Sequence, residues 1–159
     1  MNRIKHFLPK SCLKFIYQSL IHSHLNYGIL LWGFGNEKLK ILQKKAIRIL
    51  TKSHYLEHTD PLFRNEKILK VNDIFKVHCY KLFYNFKNQR LPKKLMTLFN
   101  SQTILSINRL VNFNCPDSNG KKRIRYYLPQ LINSSPISIV QKVYTHSCKG
   151  FKLYLKNTI

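Results

Sequence analysis

The sequence predicts a mainly α-helical fold: a small helical bundle, then an irregular or short β-hairpin segment, then a C-terminal helix. Three observations carry that expectation. Apolar residues recur at the three-and-four spacing of a helix face in several stretches. Residues that start or stop helices stand at the joins, among them Pro9, Gly33-Phe34-Gly35-Asn36, Asp60-Pro61 and Leu91-Pro92. Hydrophobic residues make up 44% of the chain and aromatics 13%, enough to build a core and too many for a disordered basic tail.

The first helix is expected to follow Pro9, with Leu13, Ile16, Tyr17, Leu20 and Ile21 on one face. Asn26-Tyr27-Gly28 interrupts the period, and a short apolar run leads to Trp32, read as a core anchor. A second helix is expected from about Glu37 to Lys52, with Leu39, Leu42, Ala46, Ile49 and Leu50 facing the core. Asp60 is read as an N-cap with Pro61 at the first helical position, opening a short helix through Glu66. Asn72 or Asp73 is expected to cap a third long helix to about Lys87, with Val71, Phe75, Cys79, Leu82 and Phe86 buried. Beyond Leu91-Pro92, residues 93–99 read as one or two further helical turns. Residues 101–122 lose the helical period and read as a loop or hairpin ending at Asn119-Gly120. The last helix is expected from Ser147 to Lys156. The organisation is therefore a helical region over 1–100 and a loop, hairpin and helix over 101–159, packed on the first as one incomplete domain.

Lys and Arg number 28 against six Asp and Glu, a formal net charge of +22. Six carboxylates cannot neutralise that charge within the fold, so the excess faces water or a polyanion. The longest apolar run, Ile29-Leu30-Leu31-Trp32, falls far short of the ~20 residues of a membrane span, so no membrane partner is expected. Pro9, Lys10 and Lys14 leave no room for the apolar region of a signal peptide, which implies an intracellular protein, nuclear or cytoplasmic. Cys12, Cys79, Cys115 and Cys148 form no C-x-x-C pair and read as free, mostly buried thiols.

The cations are patterned. Lys38, Lys45 and Lys52 recur every seventh residue on the face of the second helix opposite its core side, flanked by Lys44 and Arg48. A second cluster is Lys121, Lys122, Arg123 and Arg125. Backbone phosphates are gripped by such residues without regard to base sequence, so these nine are the candidate nucleic-acid-binding residues. No catalytic residue, metal ligand or cofactor is expected. A polymerase needs clustered carboxylates to hold metal ions, and Glu37, Glu57, Asp60, Glu66, Asp73 and Asp117 are scattered. His22/His24 and His54/His58 have spacings that zinc can use but no Cys-x-x-Cys partner. Ser19, Ser23 and Cys79 have no base at an identifying spacing. Tyr80, Phe83, Tyr84 and Phe86 lie among Lys76, Lys81 and Lys87; their spacing favours core packing, with Tyr80 and Tyr84 the best exposed candidates for base stacking.

Five blocks in one order carry a family resemblance. They are Tyr17–Ile21 with Ser23–Gly33, then Leu42–Ile49, then His58–Phe63, then Ile68–Phe75 with Leu91-Pro92, and last Gly120–Pro129 with Phe151–Leu155. Together they resemble the region downstream of the palm in LINE-type non-LTR retrotransposon reverse transcriptases, especially jockey-like elements. Leu128 stands where that family carries glycine and Ile132 where it often carries tryptophan, marks of a diverged copy. The resemblance implies a thumb and connector region: a fragment of an RNA-directed DNA polymerase that lacks the catalytic palm and holds the primer–template by its backbone. The implied partners are RNA, DNA or an RNA–DNA hybrid, and the missing palm and fingers. The alternatives are a free-standing basic nucleic-acid-binding module and a non-functional transposon remnant.

Overall fold

A computed structural model describes residues 3, 5–33, 35–95, 104–105, 109–110, 124–139 and 141. Among them the chain is mainly helical. By its internal contacts it divides into two compact units, Met1–Phe75 and Lys76–Ile159.

In the first unit, α1 (Lys10–Ile16) starts after Pro9, whose extended backbone places it at the N-cap. It runs into a π-helical turn over Tyr17–His22 and then into α2 (Ser23–Tyr27). An α-helix turns ~100° per residue, so a strict four-residue repeat drifts around it. The wider π turn takes up that drift, and Leu13, Tyr17, Ile21 and Leu25 stay on the inner side while Leu20, expected there, is exposed. Ser19 and Ser23 turn their hydroxyls back to the carbonyls of Ile16 and Ser19, bonding carbonyls around the π segment.

Gly28 ends α2 and opens the single turn α3 (Ile29–Trp32). A Cβ on Gly28 would collide with the Trp32 indole, and one on Gly33 with the Ile29 carbonyl, so glycine at both places lets ring and backbone close in. Trp32 lies over Gly28 yet is 38% exposed, so it is a partly covered flap and not the core anchor expected.

Asn36 caps α4 (Glu37–Thr51) by accepting the Leu39 N–H at 3.3 Å. The bounds fall within a residue of expectation, but the buried stripe is Gln43, Ala46, Ile47 and Leu50. Leu42, expected inside, is 59% exposed. The core gathers Tyr17, Ala46, Ile47, Leu50, Leu62 and Phe63, with Ile21 and Ile68 against it. Leu62 and Phe63 come from α5 (Thr59–Glu66), and Ile68 follows it. His58, not Asp60, is the N-cap of α5; Asp60 sits in its first turn, and Pro61 follows where the missing N–H is still one that a helix start leaves unbonded.

The third long helix, α6 (Val71–Lys87), begins one to two residues before the Asn72 or Asp73 cap expected. Its first N–H, on Val71, donates to Gln43 Oε1 at 2.8 Å. A side chain of α4 therefore stands in for a local cap. Three helices end alike. Lys52, Lys67 and Gln89 adopt left-handed φ of 56°, 54° and 51°. In each case the following N–H (Ser53, Ile68, Arg90) bonds back to the carbonyl five residues earlier (Arg48, Phe63, Asn85). This is the Schellman closure, built here without glycine.

In the second unit, Val77, Cys79, Tyr80, Phe83 and Tyr84 of α6 are buried. Burial of Tyr80 and Tyr84 removes them as exposed stacking residues. The two-residue strands β1 (Ile104–Leu105) and β2 (Arg109–Leu110) pair antiparallel, Ile104 opposite Leu110. A helix the sequence reading did not expect, α7 (Ile124–Ser134), lies against β2 and carries Pro129 inside it. It buries Leu128, Leu131 and Ile132, and just past its end the Ser135 hydroxyl meets Tyr80 Oη at 2.7 Å. The expected helix over Ser147–Lys156, and most of the expected loop over 101–122, lie outside the described residues.

Candidate nucleic-acid interface

The site grows from the solvent side of α4. That side forms because the opposite one, Gln43-Ala46-Ile47-Leu50, is committed to the core at spacings of three and four. Gln43 is only 3% exposed and its amide is fully used. Nε2 donates to Tyr17 Oη at 3.1 Å and to the Leu69 carbonyl at 2.8 Å, while Oε1 takes the Val71 N–H. This bonding ties α4 to the π turn and to the start of α6, and so sets the rotation of α4 about its own axis. Burial pushes the Tyr17 phenol up, although its bond with Gln43 acts the other way.

With α4 so rotated, Lys44, Lys45 and Arg48 come to one surface. Arg48 is held there, its Nε–H donating to the Glu57 carbonyl at 3.0 Å. The Schellman closure at Lys52 turns the chain back, and a turn at 54–57 brings Tyr55 beside α4, closed by the Glu57 N–H on the His54 carbonyl at 3.1 Å. A cleft of about 420 Å³ results, lined by Lys5, Lys45, Arg48, Ile49, Ser53 and Tyr55. A second hollow of about 280 Å³ shares Lys45, Arg48 and Tyr55 with the first and is further lined by Ile41, Lys44 and Leu56. Among the described residues no carboxylate lines either one, and no ion pair engages Lys44, Lys45 or Arg48.

Three of the six acids are paired with other lysines. Glu66, 6% exposed, binds both Lys10 and Lys14, the latter at 3.1 Å. Burial acts to raise the Glu66 carboxyl, but the two ammonium groups outweigh it and hold it below the usual glutamate range. Asp60 is held below the usual carboxylate range by the hydrogen bond and charge of Lys70, with Lys44 and Arg64 adding to the field. Glu37 pairs with Lys40 at 2.6 Å within the first turn of α4.

No protein family, no curated protein and no solved structure matches the chain. Of the nine residues expected from sequence, Lys44, Lys45 and Arg48 come together. Lys38 is exposed in the first turn of α4, and Lys52 is exposed in the left-handed closing position; neither lines the cleft. Arg125 falls in the first turn of α7, and Lys121, Lys122 and Arg123 lie outside the described residues. Two residues were missed. Tyr55, 74% exposed, carried a legible signal, an aromatic in a polar stretch just after a basic helix. Lys5 carried none, since only the fold brings it to Lys45.

Other groups weighed for chemistry are accounted for. Cys79 is buried, which pushes its thiol up to about 12 and makes it a poor nucleophile. Cys12, expected with the buried thiols, is exposed. Among the described residues no three His, Cys, Asp or Glu side chains gather as a metal site would require, and no helix is long and apolar enough to cross a membrane.

Proposed function

We propose that the chain is a non-catalytic, nucleic-acid-holding part of a retrotransposon RNA-directed DNA polymerase, gripping the primer–template by its phosphate backbone. The observation that carries this reading is the set Lys44, Lys45 and Arg48 on one side of α4, joined by Lys5 and engaged by no ion pair among the described residues, in a chain of net charge +22. Cations fixed on a helix need little ordering to meet phosphates, and they read no base edges. The five ordered sequence blocks supply the parent enzyme, and Glu66, Glu37 and Asp60 are paired with Lys10 and Lys14, Lys40 and Lys70.

The test is binding of a fluorescent RNA–DNA hybrid over a range of salt. With about five phosphate contacts, log affinity falls against log salt with a slope near −4 to −5. Scrambling the sequence leaves affinity within ~1 kcal/mol. A flat salt response, or discrimination among scrambled hybrids beyond ~3 kcal/mol, counts against the reading. Primer extension on a poly(A) template with the purified chain should stay at the heat-killed control.

A further inference from the structure

The cleft beside α4 has a second character that a backbone grip does not use. Phosphates need cations and nothing else, yet beside Lys5, Lys45 and Arg48 the lining includes Ser53, Ile49 and the exposed ring of Tyr55. Its volume, about 420 Å³, lies within the roughly 300–1,000 Å³ of small-molecule sites. Arg48 spends Nε–H on the Glu57 carbonyl, and no protein bond occupies its terminal N–H groups among the described residues. The complement of this lining is a planar, weakly polar body joined to an anion.

We propose that the cleft receives an unpaired nucleotide of a bound strand, its base against Tyr55 and Ile49 and its phosphate between Lys5, Lys45 and Arg48. This rests on the nucleic-acid reading above and narrows it. A base inside a duplex is covered on both faces by its neighbours and cannot enter such a cleft, whereas a base in a single-stranded overhang can. Stacking on an aromatic ring tolerates any base, which keeps the site compatible with binding that ignores sequence. The preferred ligand is then a junction, duplex held along α4 with a single-stranded extension turned toward Tyr55.

The experiment compares three hybrids at matched salt on the full chain: blunt, with a short single-stranded overhang, and with the same overhang made of abasic sites. Abasic sites keep the phosphates and remove the bases. The base-bearing overhang should bind roughly fivefold or more tighter than the abasic one. Tyr55→Ala should bring that ratio to about one, and Tyr55→Phe, which keeps the ring, should retain it; circular dichroism confirms that both variants fold. A ratio near one in the unaltered chain with blunt-hybrid binding intact overturns the inference and leaves the backbone-grip reading standing. So does a ratio that survives Tyr55→Ala. Displacement of the overhang by an equal concentration of a free nucleoside monophosphate assigns the cleft to mononucleotides and also overturns it. Failure of every hybrid to bind overturns both readings.

Discussion

Two cation-rich places lie within the first unit and are built in opposite ways. At Glu66, Lys10 and Lys14 converge on one buried carboxylate, which is thereby held ionised. At the outer side of α4, Lys44, Lys45 and Arg48 share a surface whose hollows are lined by no acid among the described residues, beside an exposed tyrosine. The chain has only six acids; one of them, Glu66, closes the fold at Lys10 and Lys14, while among the described residues no ion pair engages Lys44, Lys45 or Arg48. The contrast separates charge that serves stability from charge left over for a partner.

The inner side of α4 should be the most sensitive point in that comparison. Gln43→Leu fits the space but strands the Tyr17 hydroxyl, the Leu69 carbonyl and the Val71 N–H. Each unsatisfied buried group costs ~1–3 kcal/mol, so the variant should lose about 3 kcal/mol in urea denaturation. Loss below ~1 kcal/mol would mean that water replaces the amide and that Gln43 does not set the rotation of α4.

Next comes the closed site. Because the Glu66 carboxyl is lower folded than unfolded, its stabilisation is complete above the ordinary glutamate value of ~4.3 and disappears as pH falls through the folded value. Glu66→Gln should cost about 2 kcal/mol at neutral pH and flatten the loss of stability on acidification, followed by melts from neutral pH to pH ~3. An unchanged acid limb would show that Lys10 and Lys14 are hydrated and not engaged.

A smaller effect should have the opposite sign. Lys67 holds a left-handed φ of 54° at the end of α5. Lys67→Gly should raise stability by about 1 kcal/mol, because glycine adopts that conformation without steric cost. The same change at Lys52 should stabilise the fold alike while leaving hybrid binding nearly intact, since Lys52 lines neither hollow. Strong loss of binding on Lys52→Gly would return that residue to the interface.

Much of the first unit was legible because its helices are amphipathic and bounded by turn residues. The ends of α4 followed from Asn36, Lys52 and the period between them, and the end of α5 from Glu66, while its start lies two residues before the Pro61 expected. What failed was phase. Gln43 reads as a surface residue by polarity, and only its three bonds make it a core one; with Gln43 inside, Leu42 turns outward. The π turn displaced Leu20 for a related reason, since a sequence period assumes one helix type throughout. The helix α7 was hidden by the basic cluster before it and by Pro129, which reads as a breaker. Of the candidate site, the charges were legible and the cleft was not: Lys5 reaches Lys45 only through the fold.

The measurement that bears most directly on the contrast is the salt slope of hybrid binding for two charge-removed variants. One carries Lys44→Gln, Lys45→Gln and Arg48→Gln. The other carries Lys152→Gln and Lys156→Gln, from the tail of the chain. Glutamine is a comparable helix former, so helicity should be unchanged in the first. If α4 supplies the grip, the triple variant loses affinity about equally for all sequences and its slope shrinks by up to ~3, one for each phosphate contact removed. The tail variant should lose less per charge. A tail variant that loses more affinity per charge than the triple would contradict the assignment of the unpaired cations of α4 as the nucleic-acid surface.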